Sequence, residues 1–138
     1  MNLFKLVTAV HVWLYRSSGG KRGARMKGKD IVLLTTKGRK TGTNRTVPVV
    51  SFVDGTDRVV IASKGGAPQH PAWFLNLEKN PDVTVQLGPE VFQAKAVIAD
   101  PAERDRLFKK AASEMPQFAE YEKKTNRVIP VVRLVRAT

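Results

Sequence analysis

The chain opens with an apolar stretch, Asn2 to Arg16, in which Leu3, Leu6/Val7, Val10 and Trp13/Leu14 recur at helical spacing. It is shorter than the ~20 apolar residues a bilayer span needs, and it lacks the small-residue cleavage site of a secretory signal. Ser17–Lys29 follows, rich in Gly and positive charge, and reads as a mobile connector. From Asp30 the period changes. Ile31–Thr36 is short and β-branched, as in a buried strand. Gly38–Asn44 is a glycine-bounded turn, and Thr46–Val53 is the next strand, placed at an edge or bulge by Pro48. Asp54-Gly55 turns the chain back into Arg58–Ser63, which Lys64-Gly65-Gly66 ends. Pro71–Leu77 reads as a short helix with Pro at its first position, stopped by Asn80-Pro81. Asp82–Leu87 and Val91–Ala99 form a hairpin through Gly88-Pro89. Asp100 caps a helix beginning at Pro101 with Glu103 at its third position, and Leu107, Phe108, Ala111 and Ala112 form its buried face. Pro116 breaks it, a helical segment covers about Gln117–Lys124, and Val128–Val135 is a last strand.

Six strands joined largely by hairpins, with flanking helices, predict an α+β chain whose antiparallel sheet closes into a small barrel. The strand–helix alternation of a doubly wound parallel sheet is missing. At 138 residues the chain has room for one main core. The expected division is residues 1–29, an amphipathic helix with a basic connector, and residues 30–138, the barrel.

Charge changes the picture. Residues 1–45 hold 11 Lys/Arg and one acidic residue, Asp30, whereas the rest hold 13 basic and 11 acidic residues. This asymmetry points to an anionic partner near the first third: nucleic acid, an anionic membrane or a polyanionic small molecule. The helix either packs on the domain or lays its apolar face on lipid, with Lys21, Arg22, Arg25, Lys27 and Lys29 meeting anionic headgroups. Cys is absent and the two His, His11 and His70, are far apart, so no metal-ligand motif is present and no metal is expected.

Four segments could carry chemistry. Gly38-Arg39-Lys40-Thr41-Gly42, with Arg45 beyond, offers donors to phosphate or carboxylate oxygens, without Walker spacing; alone it also reads as a solvated turn. Ala62-Ser63-Lys64-Gly65-Gly66 ends a strand in a small, donor-rich loop, where Ser63 is a hydrogen-bond donor rather than a hydrolytic nucleophile. Pro71-Ala72-Trp73 is a helix start able to receive an anion, although Trp73 also suits a core. Tyr121, followed by Thr125-Asn126-Arg127, is a packing residue or a proton donor.

Together these segments resemble a known family. Leu33–Gly42 (LLTTKGRKTG), Ala62–Ala67 (ASKGGA), Pro71–Pro81 (PAWFLNLEKNP) and Glu114–Val131 are similar, in order, to the deazaflavin (coenzyme F420)-dependent nitroreductase and quinone reductase family of actinobacteria. The resemblance implies a split β-barrel of flavin-reductase type and an enzyme that uses reduced coenzyme F420, an 8-hydroxy-5-deazaflavin, to transfer hydride to quinone, enone or nitroaromatic acceptors. It implies that Arg39, Lys40 and Thr41 meet the coenzyme's anionic tail. Arg45, Pro48, Ile61, Ala62, Ser63, Lys64 and Gly66 would line its groove, with Ala72 and Trp73 at the helix start, where Ala72 replaces a Met. Tyr121 matches a substrate-facing tyrosine, and Tyr121, Ser63 or water would supply a proton. Val50, Phe118 and Lys124 stand where the nitroreductase has further tyrosines, which weakens the case for nitroimidazoles. A coenzyme with a phosphodiester and a glutamate chain is a polyanion and accounts for the basic first third. Some members associate with the cytoplasmic membrane through the N-terminal helix, so the expected location is cytoplasmic or peripheral on the inner face of the membrane. The oligomeric state stays open, with a monomer the simpler expectation. The alternatives are a nucleic-acid-binding barrel, opposed by the low aromatic content, and an FMN- or haem-binding relative on the same fold.

Overall fold

The computed structural model describes residues 3–26 and 28–137, apart from the side chains of Phe4 and Met26. Asn2 and Lys27, expected in the helix and the basic tail, lie outside the described residues. The elements are α1 (Leu3–Ser17), β1 (Arg25–Met26), β2 (Lys29–Lys37), β3 (Asn44–Asp54), β4 (Asp57–Ile61), a 3-10 turn (Lys64–Gly66), α2 (Ala72–Lys79), β5 (Asp82–Leu87), β6 (Glu90–Ile98), α3 (Pro101–Glu114), α4 (Gln117–Lys123) and β7 (Val131–Arg136). All pairings are antiparallel, in the order β2-β3-β4-β7-β6-β5, and β5 returns to β2 to close a six-stranded barrel. β1 is an appendage on β2, so the basic connector is partly ordered: Arg25 and Met26 pair with Asp30 and Lys29.

Side-chain alternation distributes the apolar residues among three cores. Val32, Leu34, Val60, Val83, Val85, Val132 and Leu134 point into the barrel, whose end is plugged by Phe74 and Leu77 of α2. Phe52, Val59, Ile61 and Val131 point outward, beneath Leu107, Phe108 and Ala111 of α3 and Phe118 of α4. Ile31 and Leu33, on the outer face of β2, are covered by Tyr15 of α1. β2 therefore reads as an unbroken apolar run because both its faces are buried.

The anchor of α1 is polar as well as apolar. Tyr15 is fully buried, its hydroxyl donating to Ile31 O (2.8 Å) and Gln86 O (3.2 Å) and accepting from Gly88 N (2.8 Å). The helix thus packs on the barrel, but not by the stripe its periodicity suggests: Leu3, Leu6, Val7, Val10 and Trp13 face solvent. Pro71 also differs from expectation. It stands just before α2 in extended conformation, and Ala72 is the first helical residue. At α3 the expected cap is present, with Asp100 Oδ1 accepting from Glu103 N at 2.9 Å.

Candidate active site

β3 is long enough to pair with two neighbours in turn. Its first half, Asn44–Val50, pairs with β2, and only Ser51–Asp54 pair with β4. Pro48 sits in the half with the open edge, where a strand proline is tolerated. Two clefts follow that half and meet at Trp73. One, of about 770 Å³, is lined by Asn44–Val47, the Gly38–Thr41 turn, Ala72, Trp73 and Asn76, with Lys5, Thr8 and Ala9 of α1 as its far wall. The other, of about 230 Å³, is lined by Pro48–Val50, Ile61, Ser63–Gly65, Trp73, Met115 and the α4 residues Gln117, Phe118 and Tyr121.

The first cleft is cationic. Arg39, Lys40 and Arg45 line it, and no Asp or Glu does so among the described residues. The turn is closed by Gly38 N donating to Thr43 O and Gly42 N donating to Gly38 O, both at 2.8 Å. Thr41 Oγ1 accepts from Thr43 N. Arg39 is fixed from below: Asn76 Oδ1 accepts from its backbone N (3.1 Å) and from Nη1 (3.0 Å), while Asn76 Nδ2 donates to Thr36 Oγ1. Lys79 Nζ donates to Arg39 O. Lys40 and Arg45 are exposed. Like-charged side chains held side by side without a counter-charge favour an anionic occupant.

The second cleft is a slot in which apolar side chains alternate with polar groups, the Ser63 and Tyr121 hydroxyls, Gln117 and Lys64. Phe118 packs edge-on against both Phe52 (5.5 Å) and Tyr121 (5.8 Å), which sets the tyrosine ring. Lys124 Nζ lies over the Tyr121 ring, 5.8 Å from its centroid, and is not among the residues lining the slot. Lys64 itself has φ +47°, a strained conformation for a residue with a side chain.

The residues expected from sequence are thus brought largely together. Arg39, Lys40, Thr41, Arg45 and Ala72 line the cationic cleft, and Pro48, Ile61, Ser63, Lys64 and Tyr121 line the slot. Trp73, half-buried, borders both. Ala62 and Gly66 are exceptions. Ala62 is fully buried in the barrel core. Gly66 (φ +84°) packs against α4, where a Cβ would come within 2.8 Å of Tyr121 O.

Three contributions were not read from sequence. Asn76 positions Arg39, and its signal was a polar residue on the buried face of α2. Arg127 binds the 62–67 loop, and α1 walls the cationic cleft; no local pattern announces either.

A closed antiparallel barrel with a cationic cleft beside a second, smaller cleft defines a small-ligand-binding split-barrel protein. Comparison with known proteins makes this specific. Residues 7–136 match the family described as F420H(2)-dependent quinone reductase, and the chain belongs to that family. It is 37% identical over 131 residues to an F420H(2)-dependent quinone reductase of Mycobacterium tuberculosis (strain H37Rv), covering 92% of this chain and 88% of the relative. A solved F420-H2 dependent reductase (FDR-A) is 41% identical with a TM-score of 0.69, over 75% of this chain and 92% of that one. A structure described as a domain-swapped dimer is 35% identical with a TM-score of 0.73, over 91% and 92%. The family is one of enzymes, and its cofactor is coenzyme F420. The residues present fit that group: a carboxylate-free cationic cleft suits an anionic tail, and the slot suits a flat ring system.

Proposed function

We propose that this chain reduces quinone- or enone-type acceptors with reduced coenzyme F420, and that the two clefts divide the work. The observation that carries this is that the two clefts follow one another along β3 with Trp73 between, Arg39, Lys40 and Arg45 lining one and the Ser63 and Tyr121 hydroxyls the other. When bound, the coenzyme supplies a hydride. Arg39, Lys40, Thr41 and Arg45 hold its phosphate and carboxylates by charge-assisted hydrogen bonds. Pro48, Ile61 and Trp73 give apolar walls that exclude water, and Ser63 and Lys64 offer donors beside them. Tyr121 holds a proton at its hydroxyl for the acceptor oxygen, with Ser63 or water as the alternative source.

Acceptor preference follows from the walls. With Val50 and Phe118 in the slot, Tyr121 supplies the one phenol among its lining residues, while a nitro group gathers charge that needs several donors. Menadione and a bicyclic nitroimidazole, compared at saturating reduced coenzyme, test this. The quinone should turn over faster, and Tyr121→Phe should lower its turnover by ~10²-fold. Faster nitroimidazole reduction would contradict the reading of the slot, and full activity in Tyr121→Phe would move the proton to water.

A second reading concerns location. No described helix is long and apolar enough to cross a membrane. We propose instead that α1 rests on an anionic membrane surface, since Leu3, Leu6, Val7, Val10 and Trp13 form an outward stripe 48–74% exposed. The basic tail contributes less than its sequence suggests, because Arg25 pairs with Asp30 and Lys29 with Glu114. Lys21 and Arg22 remain exposed, for roughly 2 kcal/mol of electrostatic attraction. Deleting residues 1–29 would uncover Ile31 and Leu33, so the cleaner variant is Val7→Ser/Val10→Ser/Trp13→Ser. Its pelleting with anionic vesicles should fall while the unaltered chain pellets; equal pelleting leaves the stripe without a lipid role.

A further inference from the structure

Arg127, in the segment between α4 and β7, has an unusual set of partners. Its guanidinium donates to three backbone carbonyls of one loop: Ala62 O (3.2 Å), Ser63 O (2.7 Å) and Ala67 O (2.9 Å). Its remaining contact is to His70 Nδ1, at 2.9 Å. None of these partners is a carboxylate. A planar fork of donors binding successive carbonyls fixes a backbone path in a way one ammonium group cannot. The path fixed here includes the left-handed Lys64, whose strain persists only where surrounding contacts over-determine it.

The same contacts lie next to the slot. Ala62, Ser63 and Ala67, whose carbonyls accept from Arg127, bracket the loop from which Ser63, Lys64 and Gly65 line it. From the other side the loop meets α4, with Gly66 against Tyr121 and Lys124. The loop is therefore held between a guanidinium and the helix that carries Tyr121.

We propose that Arg127 is the positioning residue that holds residues 62–67 in their coenzyme-binding form, and that neutral His70 in turn holds Arg127. This rests on the reading of that loop as part of the coenzyme site. Because the guanidinium has only donors, His70 Nδ1 must be the acceptor, which places the ring proton on Nε2. A second proton would set imidazolium against guanidinium and release the fork. The groups that face His70 are Arg127, the Phe74 ring at 4.9 Å and the charge of Glu78, both of the latter from α2. Burial, and then Arg127, lower the His70 pKa from its ordinary value, with Glu78 opposing. The neutral form is thus the one present near neutral pH.

Two measurements on the full chain test this. In the coenzyme-free protein, Arg127→Lys should speed amide hydrogen exchange at residues 62–67 by about tenfold while the barrel strands keep their protection. Unchanged exchange there, or an equal rise throughout the barrel, overturns the positioning role. Coenzyme F420 affinity, followed by its fluorescence, is then compared between the unaltered chain and His70→Asn, whose amide oxygen can accept from Arg127 but cannot titrate. Their ratio at each pH cancels titration of the coenzyme itself. The two should bind alike at pH 7.5, and the unaltered chain should fall behind by about threefold or more at pH 5. A constant ratio overturns the role of His70. Failure of the unaltered chain to bind coenzyme at any pH overturns the coenzyme reading, and with it the role proposed for the loop; the exchange experiment still shows whether Arg127 orders it.

Discussion

Two arginine-rich regions of this barrel are built in opposite ways. Around the β3–β4 turn, Asp54 accepts from Arg106, Arg133 and Lys110, Glu103 from Arg106 and Arg133, and Asp57 from Arg133. Every cation there has a carboxylate, and the network ties α3 to β4 and β7. In the cationic cleft, no carboxylate among the described residues lines the space with Arg39, Lys40 and Arg45. The proposed function takes this contrast as the mark of a group left for a ligand. On that proposal the first region serves stability and the second binding, and each should respond to a different experiment.

The largest expected effect comes from removing the unpaired cations. Lys40→Ala/Arg45→Ala deletes two charge-assisted contacts and should weaken coenzyme F420 binding by about 3 kcal/mol or more, over 10²-fold. Its melting temperature should stay within about 1 °C, since neither side chain is buried. Fluorescence titration and calorimetry on the same sample check both halves.

The reciprocal experiment is Asp54→Asn. It takes the carboxylate from three cations at a side chain only 17% exposed, and should cost about 2 kcal/mol, roughly 6 °C in Tm, with coenzyme affinity unchanged. The network also has a pH signature. Hydrogen bonds from Arg106 and Arg133 hold the Asp54 carboxyl well below its ordinary range, and the same two residues lower Glu103 to about 2. A carboxylate with a depressed native pKa stabilises the fold fully above its unfolded value near 4. That contribution is lost as pH falls toward the native value. Melting temperature should therefore drop between about pH 4.5 and 2, and drop less in Asp54→Asn.

A smaller effect sharpens the contrast. Asn44→Asp places a carboxylate among the unpaired cations of the cleft and should weaken coenzyme binding by about 1 kcal/mol without loss of stability. A rise in affinity would mean that the cleft is not an anion site.

The barrel was legible in sequence because its strands are short β-branched stretches, alternating or, as in β2, unbroken, each ended by turn residues, and the hairpins leave few ways to pair them. The cationic turn was legible because its residues are contiguous. What escaped was the consequence of closure. The outward stripe of α1 cannot be told from an inward one by periodicity, and Tyr15, the residue that docks the helix, is not among the positions that periodicity picks out. Arg25 and Lys29 looked like free charges until folding brought Asp30 and Glu114 to them. Arg127 lay within the Glu114–Val131 segment, but its partners lie 57–65 residues away in sequence, so its role was not legible there.

Salt separates the two regions in a single titration. Unpaired cations that bind a polyanion lose affinity as ions screen them, whereas an apolar slot does not. Coenzyme F420 affinity of the unaltered chain should fall steeply from low to physiological salt, and that dependence should largely disappear in Lys40→Ala/Arg45→Ala. The same steep dependence in both proteins would contradict the central claim that these cations are held in reserve for the coenzyme.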